Sequence, residues 1–290
     1  MKIYNANKIE IICDGNDVLG FGHIKRSSSL KECLEQKGFL VNLRVISKDD
    51  LNSQNNESLL RIVDLPYPKD DLINEANKIN IPCIALDYFG NAEPDLTISI
   101  YEHNFPQPKG KRVSGLEYAI IRDSIKRADK EKQNKTALVM IGGADINQSG
   151  DSIALKIASH ETNVNLVRGP FNKSSSNLKN RFISIYKNPS NIDNLMSSSI
   201  WGVTNGGGSM MEMMSLGKAV YVVPQTKEEE TIANYIYKHD GILGVGIESI
   251  SVPSEEIITR VGKKAASMID GNGLHRILDH VIEIIEKHYK

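Results

Sequence analysis

The sequence predicts an α/β protein made of two parallel-sheet domains in tandem. Three observations predict it. Short apolar runs alternate with segments of helical period from residue 8 to about residue 87. The charged stretch "RDSIKRADKEKQNK" (122–135) then interrupts the pattern. The same alternation restarts at residue 136. Strands that alternate with helices form parallel sheets covered on both faces, and a chain of 290 residues is long enough for two such domains.

Taken in order, "KIEIICD" (8–14) reads as a buried strand and "HIKRSSSLKECLEQKG" (23–38) as a helix ending at Gly38. "FLVNLRVI" (39–46) and "LLRIVDL" (59–65) are the next strands, "KDDLINEANKI" (69–79) a helix, and "IPCIALD" (81–87) a further strand. The segment 122–135 marks the domain boundary and is in part helical, giving expected domains of 1–130 and 131–290. The second domain opens with the strand "TALVMIG" (136–142) and a helix near 149–160, followed by the strands "VNLVRG" (164–169) and "RFISIY" (181–186). A short helix near 190–197, the strand "IWGVT" (200–204), a helix near 208–217 and the strand "AVYVVP" (219–224) come next. A helix near 229–239 and the strand "GILGVG" (241–246) complete the alternation. The end of the chain carries helical spacing in Leu274, Ile277, Leu278, Val281, Ile284 and Ile285, a stripe able to pack back on the first domain. Segments 52–58 and 172–178, rich in Ser and Asn, read as surface loops. Two doubly wound, Rossmann-like domains place the default ligand site in a cleft between them.

Bulk properties narrow the class. A net charge of −1 provides no general attraction to nucleic acid. Cys13, Cys33 and Cys83 lack metal-ligand spacing and leave an odd count, which fits buried thiols in a reducing compartment. No signal-type apolar segment and no apolar run of ~18 residues occurs. The expectation is a cytoplasmic protein acting on a small molecule, without nucleic acid, membrane insertion, metal or cofactor; its oligomeric state is not written in the sequence.

The chemistry concentrates in two glycine loops, each between a strand and a helix, where doubly wound domains present their ligands. "CDGNDVLGFGHIKR" (13–26) follows the first strand. Gly15, Gly20 and Gly22 allow close backbone approach. His23 stands at the helix start with a ring suited to proton transfer near neutral pH. Asp14 points at the same mouth and is expected to orient the imidazole or to meet a sugar hydroxyl. His23 as a plain helix cap and Asp14 as a turn residue are the competing structural roles. The stretch is neither G-x-G-x-x-G, because position 25 is Lys, nor a P-loop. The second loop, "TNGGGSMMEMM" (204–214), sets Gly206, Gly207, Gly208, Ser209 and Met210 at a helix N-terminus, where backbone amides can hold a diphosphate. Glu212, one turn into that helix, is placed to accept from ribose hydroxyls. A tight turn and compensation of the helix dipole are the structural alternatives. The side chains of Met210, Met211, Met213 and Met214 read as packing.

The pattern Asp14 … Leu19-Gly20-Phe21-Gly22-His23-Ile24-Lys25-Arg26 resembles the opening motif of the PseG/SpsG family, UDP-sugar hydrolases of the pseudaminic acid pathway and their spore-coat-polysaccharide relatives. "GLEYAIIR" (115–122) resembles that family's G-x-x-Y-A-x-x-R segment, and "MIGGAD" (140–145) its M-G-G-x-D turn. The resemblance runs through most of the chain in matching order. It implies a GT-B fold like that of MurG. It also implies catalytic His23 and Asp14, and substrate contacts from Gly20, Phe21, Gly22, Arg26, Tyr67, Asp87, Tyr118 and Arg122. Nucleotide contacts are implied for Gly142, Gly143, Asp145, Gly206–Gly208, Ser209, Met210 and Glu212. The sequence departs from the family at Ile12, where arginine is usual; at Tyr88, where a second aspartate is usual; at Tyr67, one place late after Asp64; and at Glu228 and Glu229, near an expected Asn-Gln. Two carboxylates beside a diphosphate are electrostatically unfavourable.

Three functions compete. The first is hydrolysis of a UDP-linked deoxy-amino-sugar for surface or flagellar glycans, with His23 handling the proton of an attacking water. The second is a GT-B glycosyltransferase with the same donor site. The absence of a basic or apolar membrane-facing stretch favours hydrolysis over a MurG-like transfer. The third, prompted by the departures, is a non-catalytic nucleotide-sugar-binding homologue.

Overall fold

The computed structural model describes residues 8–16, 21–49, 58–101, 109–128, 134–174 and 178–290. Leu19 and Gly20 of the first motif lie outside the described residues, as do most of the loop expected at 52–58 and part of that at 172–178. The chain divides into two compact units, one of Met1–Ile120 with Gly271–Lys290, the other of Ile121–Asp270.

The first unit holds a sheet built from β1 (Lys8–Cys13), β2 (Leu40–Val45), β3 (Leu60–Asp64), β4 (Cys83–Leu86), β5 (Leu96–Ser99) and β6 (Lys111–Ser114), with α1 (Gly22–Gln36) after β1 and α2 (Asp70–Lys78) after β3. The order is β2-β1-β3-β4-β5-β6 and every pairing is parallel. The period-2 geometry of a strand explains the two-sided burial. Ile9 and Ile11 of β1 face one core with Leu30 and Leu34 of α1. Ile12, on the opposite face, joins Leu72, Ile73 and Ala76 of α2. The short strands β5 and β6 were not expected from the sequence.

The second unit begins with α3 (Asp123–Lys126) and β7 (Thr136–Met140), followed by α4 (Gly150–Ala158), β8 (Asn163–Arg168), β9 (Ile183–Lys187), α5 (Ile192–Ser198) and β10 (Trp201–Thr204). Then come α6 (Gly208–Ser215), β11 (Ala219–Val222), α7 (Lys227–Lys238), β12 (Gly244–Val245) and α8 (Glu255–Met268). Its parallel sheet runs β12-β11-β10-β7-β8-β9. Val139, Ile153, Ile157, Trp201, Val203 and Tyr221 anchor its core, and α8 adds Val261. The sequence had shown α7 but not α8.

The last helix, α9 (Gly273–His288), belongs to the first unit, which corrects the expected division at 130/131. Its stripe of Leu274, Ile277, Leu278 and Val281 is buried with Ile9, Ile62, Ile84 and Ile98. Each such side chain is worth roughly 1.5–3 kcal/mol on burial. Among the described residues, no helix is long and apolar enough to cross a membrane.

Candidate functional site

Each strand order has one switch point, where successive strands leave in opposite directions. In the first unit this lies between β1 and β3, in the second between β7 and β10. Ligands of open parallel sheets bind beyond the carboxyl ends of the strands at such points. Both glycine loops fall there.

In the first unit the register pairs Cys13 with Asp64, so the carboxyl ends of β1 and β3 are side by side. Asp64 is fully buried. Its carboxylate lies 2.7 Å from His23 Nδ1, accepts from Ser27 Oγ at 2.7 Å and from Arg26 Nε at 2.9 Å, and pairs with the Arg26 terminal nitrogen Nη2. Burial alone would raise the Asp64 carboxyl; Arg26 and His23 hold it well below the usual carboxylate range. An anionic acceptor at this distance calls for a proton on Nδ1, so that in the neutral form of the ring Nε2 is the lone-pair nitrogen. The partner that orients His23 is therefore Asp64. Asp14 was expected in that role, but its carboxylate accepts from Tyr67 Oη at 2.6 Å and from the Gly15 amide at 2.6 Å. Tyr67, one place late in the motif, is thus the residue that fixes Asp14.

Arg26 also donates to Asp87 at 2.7 Å, and Asp87 accepts from the Ile100 amide at 3.0 Å. Burial opposes the charge on Arg26, but Asp64 and Asp87 push its pKa above the ordinary arginine value. Arg26, Asp87, Ser99 and Tyr118 line one small pocket, with Ile98 and Ile120 as part of its apolar wall. Three of the expected substrate residues therefore meet in the first unit. Phe21 and Gly22 are exposed at the start of α1, and a side chain at Gly22 would point into open space. Tyr88, the departure from Asp, is buried and donates to Asp70 while accepting from the Ala92 amide. It staples its own loop, and Ile12 is core.

In the second unit, Gly142 after β7 faces Asn205 after β10; a Cβ at Gly142 would lie 3.3 Å from the Asn205 amide. Gly143 follows in the same turn, and a Cβ there would meet only Phe171, at 3.8 Å. Asp145 does not reach toward this loop. Its carboxylate accepts from the Ser149 and Gly150 amides, each at 2.9 Å, and so caps α4. Gly207 is the N-cap of α6 and contributes no side-chain cap; Gly208 and Ser209 follow in the first turn. Met210 is core: its side chain is buried and its amide bonds Gly207 O at 3.0 Å. Thr204, just before the loop, has a buried hydroxyl with no partner among the described residues. Glu229 accepts from Asn205 Nδ2 at 2.5 Å and from the Gln225 amide at 2.7 Å, in the first turn of α7 capped by Thr226. These two neutral donors fix the Glu229 side chain against the glycine loop. Gly206 is required there, because a Cβ would lie 2.7 Å from Glu229 Cβ.

Arg122 was expected among the sugar-side residues of the first domain. It belongs to the second unit, where Nε and Nη2 clasp Glu212 Oε1 and Oε2 at 2.5 and 2.7 Å. Glu212 is only 7% exposed. Asp64 and the Arg122–Glu212 pair are the features that sequence reasoning missed. For Asp64 a signal existed: an aspartate ending the strand that is second in sequence from β1 but next to it in the sheet.

The sheet orders and their loops define a GT-B fold, and solved structures agree. MurG of Acinetobacter baumannii superposes with a TM-score of 0.63 at 13% identity, covering 95% of this chain and 99% of that one. The glycosyltransferase VinC, solved with dTDP, gives 0.65 at 10% identity over 97% and 100%. S. aureus MnaA, solved with UDP, gives 0.59 at 14% identity over 94% and 95%. In sequence, the chain is 28% identical over 285 residues to the uncharacterized protein MJ1062 of Methanocaldococcus jannaschii, with 80% of this chain covered. The chain spans 58% of that relative's length. No family model matches the sequence.

Proposed function

We propose that the protein is an enzyme of nucleotide-sugar chemistry that breaks the bond between the anomeric carbon and the diphosphate oxygen. The observation that carries this is His23, oriented by the buried Asp64 anion at the switch point of the first sheet. His23 Nε2 takes the proton of an attacking hydroxyl, whose oxygen bonds the anomeric carbon; the C–O pair leaves with the nucleoside diphosphate. Backbone amides of Gly207–Ser209 at the α6 N-terminus receive the diphosphate, and Glu212 accepts from the ribose. The fold shared with dTDP-bound VinC and UDP-bound MnaA supports a nucleoside diphosphate as the leaving group. The fold shared with glycosyltransferases supports a sugar hydroxyl as the nucleophile.

A second reading, hydrolysis by water, is favoured by one observation: the PseG/SpsG-like motif at 14–26, of which Phe21-Gly22-His23-Ile24-Lys25-Arg26 opens α1. The deciding experiment incubates the protein with a panel of UDP-sugars, including 2,4-diacetamido-2,4,6-trideoxy sugars, with and without sugar acceptors. UDP release that requires an acceptor identifies transfer, and release without one identifies hydrolysis. If UDP binds but no donor is cleaved under either condition, the enzyme reading fails and a binding homologue stands.

A further inference from the structure

The geometry points to Arg122 as a positioning residue for nucleotide binding: it neutralises and aims Glu212, so that a carboxylate can stand beside a diphosphate without repelling it. This rests on the nucleotide reading of the α6 loop.

The need for such a residue follows from two charges wanted in one place. The N-terminus of α6 carries the partial positive charge that suits an anion. Glu212 stands one turn along the same helix and is almost fully buried. A bare carboxylate there would consume that field and repel a diphosphate. The Arg122 clasp removes the difficulty. Two parallel N–H···O bonds, at 2.5 and 2.7 Å, make the pair neutral overall and lock the Glu212 side chain in one orientation. They use one lone pair on each oxygen and leave the others for two neighbouring hydroxyls. Hydrogen bonding to Glu212 is also the leading cause that raises the Arg122 pKa, so the cation persists at any working pH. The backbone plants the residue: Arg122 is the N-cap of α3, and its carbonyl accepts from the Ile125 and Lys126 amides at 3.1 and 3.3 Å. Asp193 of α5 adds a second negative charge near the guanidinium.

The test is a double-mutant cycle read by titration calorimetry with UDP, with circular dichroism confirming that each variant is folded. Arg122→Met is expected to weaken UDP binding about tenfold when Glu212 is present, and less than about twofold in a Glu212→Gln background, a coupling of the size found for contacting charged pairs. Arg122→Lys, which neutralises without clasping, should lose about threefold in the first background and nothing measurable in the second. Should Arg122→Met fail to fold, the lysine variant carries the cycle. Equal loss in both backgrounds overturns the proposal, because Arg122 would then touch the nucleotide itself. Unchanged binding overturns it as well. A wild type that binds neither UDP nor dTDP overturns the nucleotide reading and the proposal together.

Discussion

Four hydrogen-bond donors converge on the Asp64 carboxylate: His23 Nδ1, the Nε and Nη2 nitrogens of Arg26, and the Ser27 hydroxyl. That convergence sets what single substitutions do. His23→Asn removes the proposed proton acceptor and should lower turnover by about 10²–10⁴, with UDP affinity from calorimetry nearly unchanged, because the proposed nucleotide contacts belong to the other unit. Full turnover in that variant would reduce His23 to a helix residue. Asp64→Asn should lower turnover too, and should also change the ¹⁵N shifts of His23, since an amide can offer N–H where the carboxylate could only accept. A loss of activity without a change in the ring's tautomer signature would mean that Asp64 serves only the fold. Acid stability follows from the same residue. Its folded carboxyl is held below the value of about 3.9 expected unfolded. Its contribution is therefore fully present above that value and lost as pH falls through the folded one. Urea midpoints should drop more steeply below about pH 4 for wild type than for Asp64→Asn. Gly22→Val tests space alone: nothing lies within 4 Å of its Cβ position, so the variant should melt like wild type while losing turnover if that space admits the substrate.

At the scale of the element, the α6 loop is held by its neighbours more than by itself. Gly206→Ala drives a methyl group into Glu229 and should lower the melting temperature, as overpacking typically costs 1–3 kcal/mol. A variant that melts unchanged would show that α7 yields freely. Thr226→Ala, which removes the hydroxyl that caps α7 by accepting from the Glu229 amide, should cost about 1 kcal/mol. How much of this was legible in the sequence depends on periodicity. The long apolar runs gave β1, β3, β7 and β10 and, with them, the place of both glycine loops. Leu96–Ser99 and Lys111–Ser114 are four-residue strands, the second rich in charge, too short for a period to register. The helix α8 buries only Val261, Gly262 and Ala265 along a largely charged surface, so its stripe is narrow. Asp64 escaped as the partner of His23 because 41 residues separate them and only the β1–β3 register brings them together. The Arg122–Glu212 pair spans 90 residues and leaves no local trace.

For the whole molecule, the decisive feature is α9. Its buried stripe completes the core that β1, β3, β4, β5 and α1 begin. Gly273 sits so near the Tyr118–Ala119 backbone that a Cβ would lie 2.3 Å from Ala119 O. Deleting residues 271–290 should leave the first unit unfolded, seen as loss of cooperative melting and rapid proteolysis of residues 1–120. The second unit, expressed as residues 121–270, should keep a cooperative transition of its own. The return of α9 also orders events on the ribosome. Residues 1–120 emerge first, yet their core stays open while the 150 residues of the second unit are made, roughly 8–30 s at ordinary elongation rates. The later-made unit is thus the earlier one able to close, and the apolar face of the earlier-made one is a nascent-chain surface that a chaperone would shield until the last helix arrives.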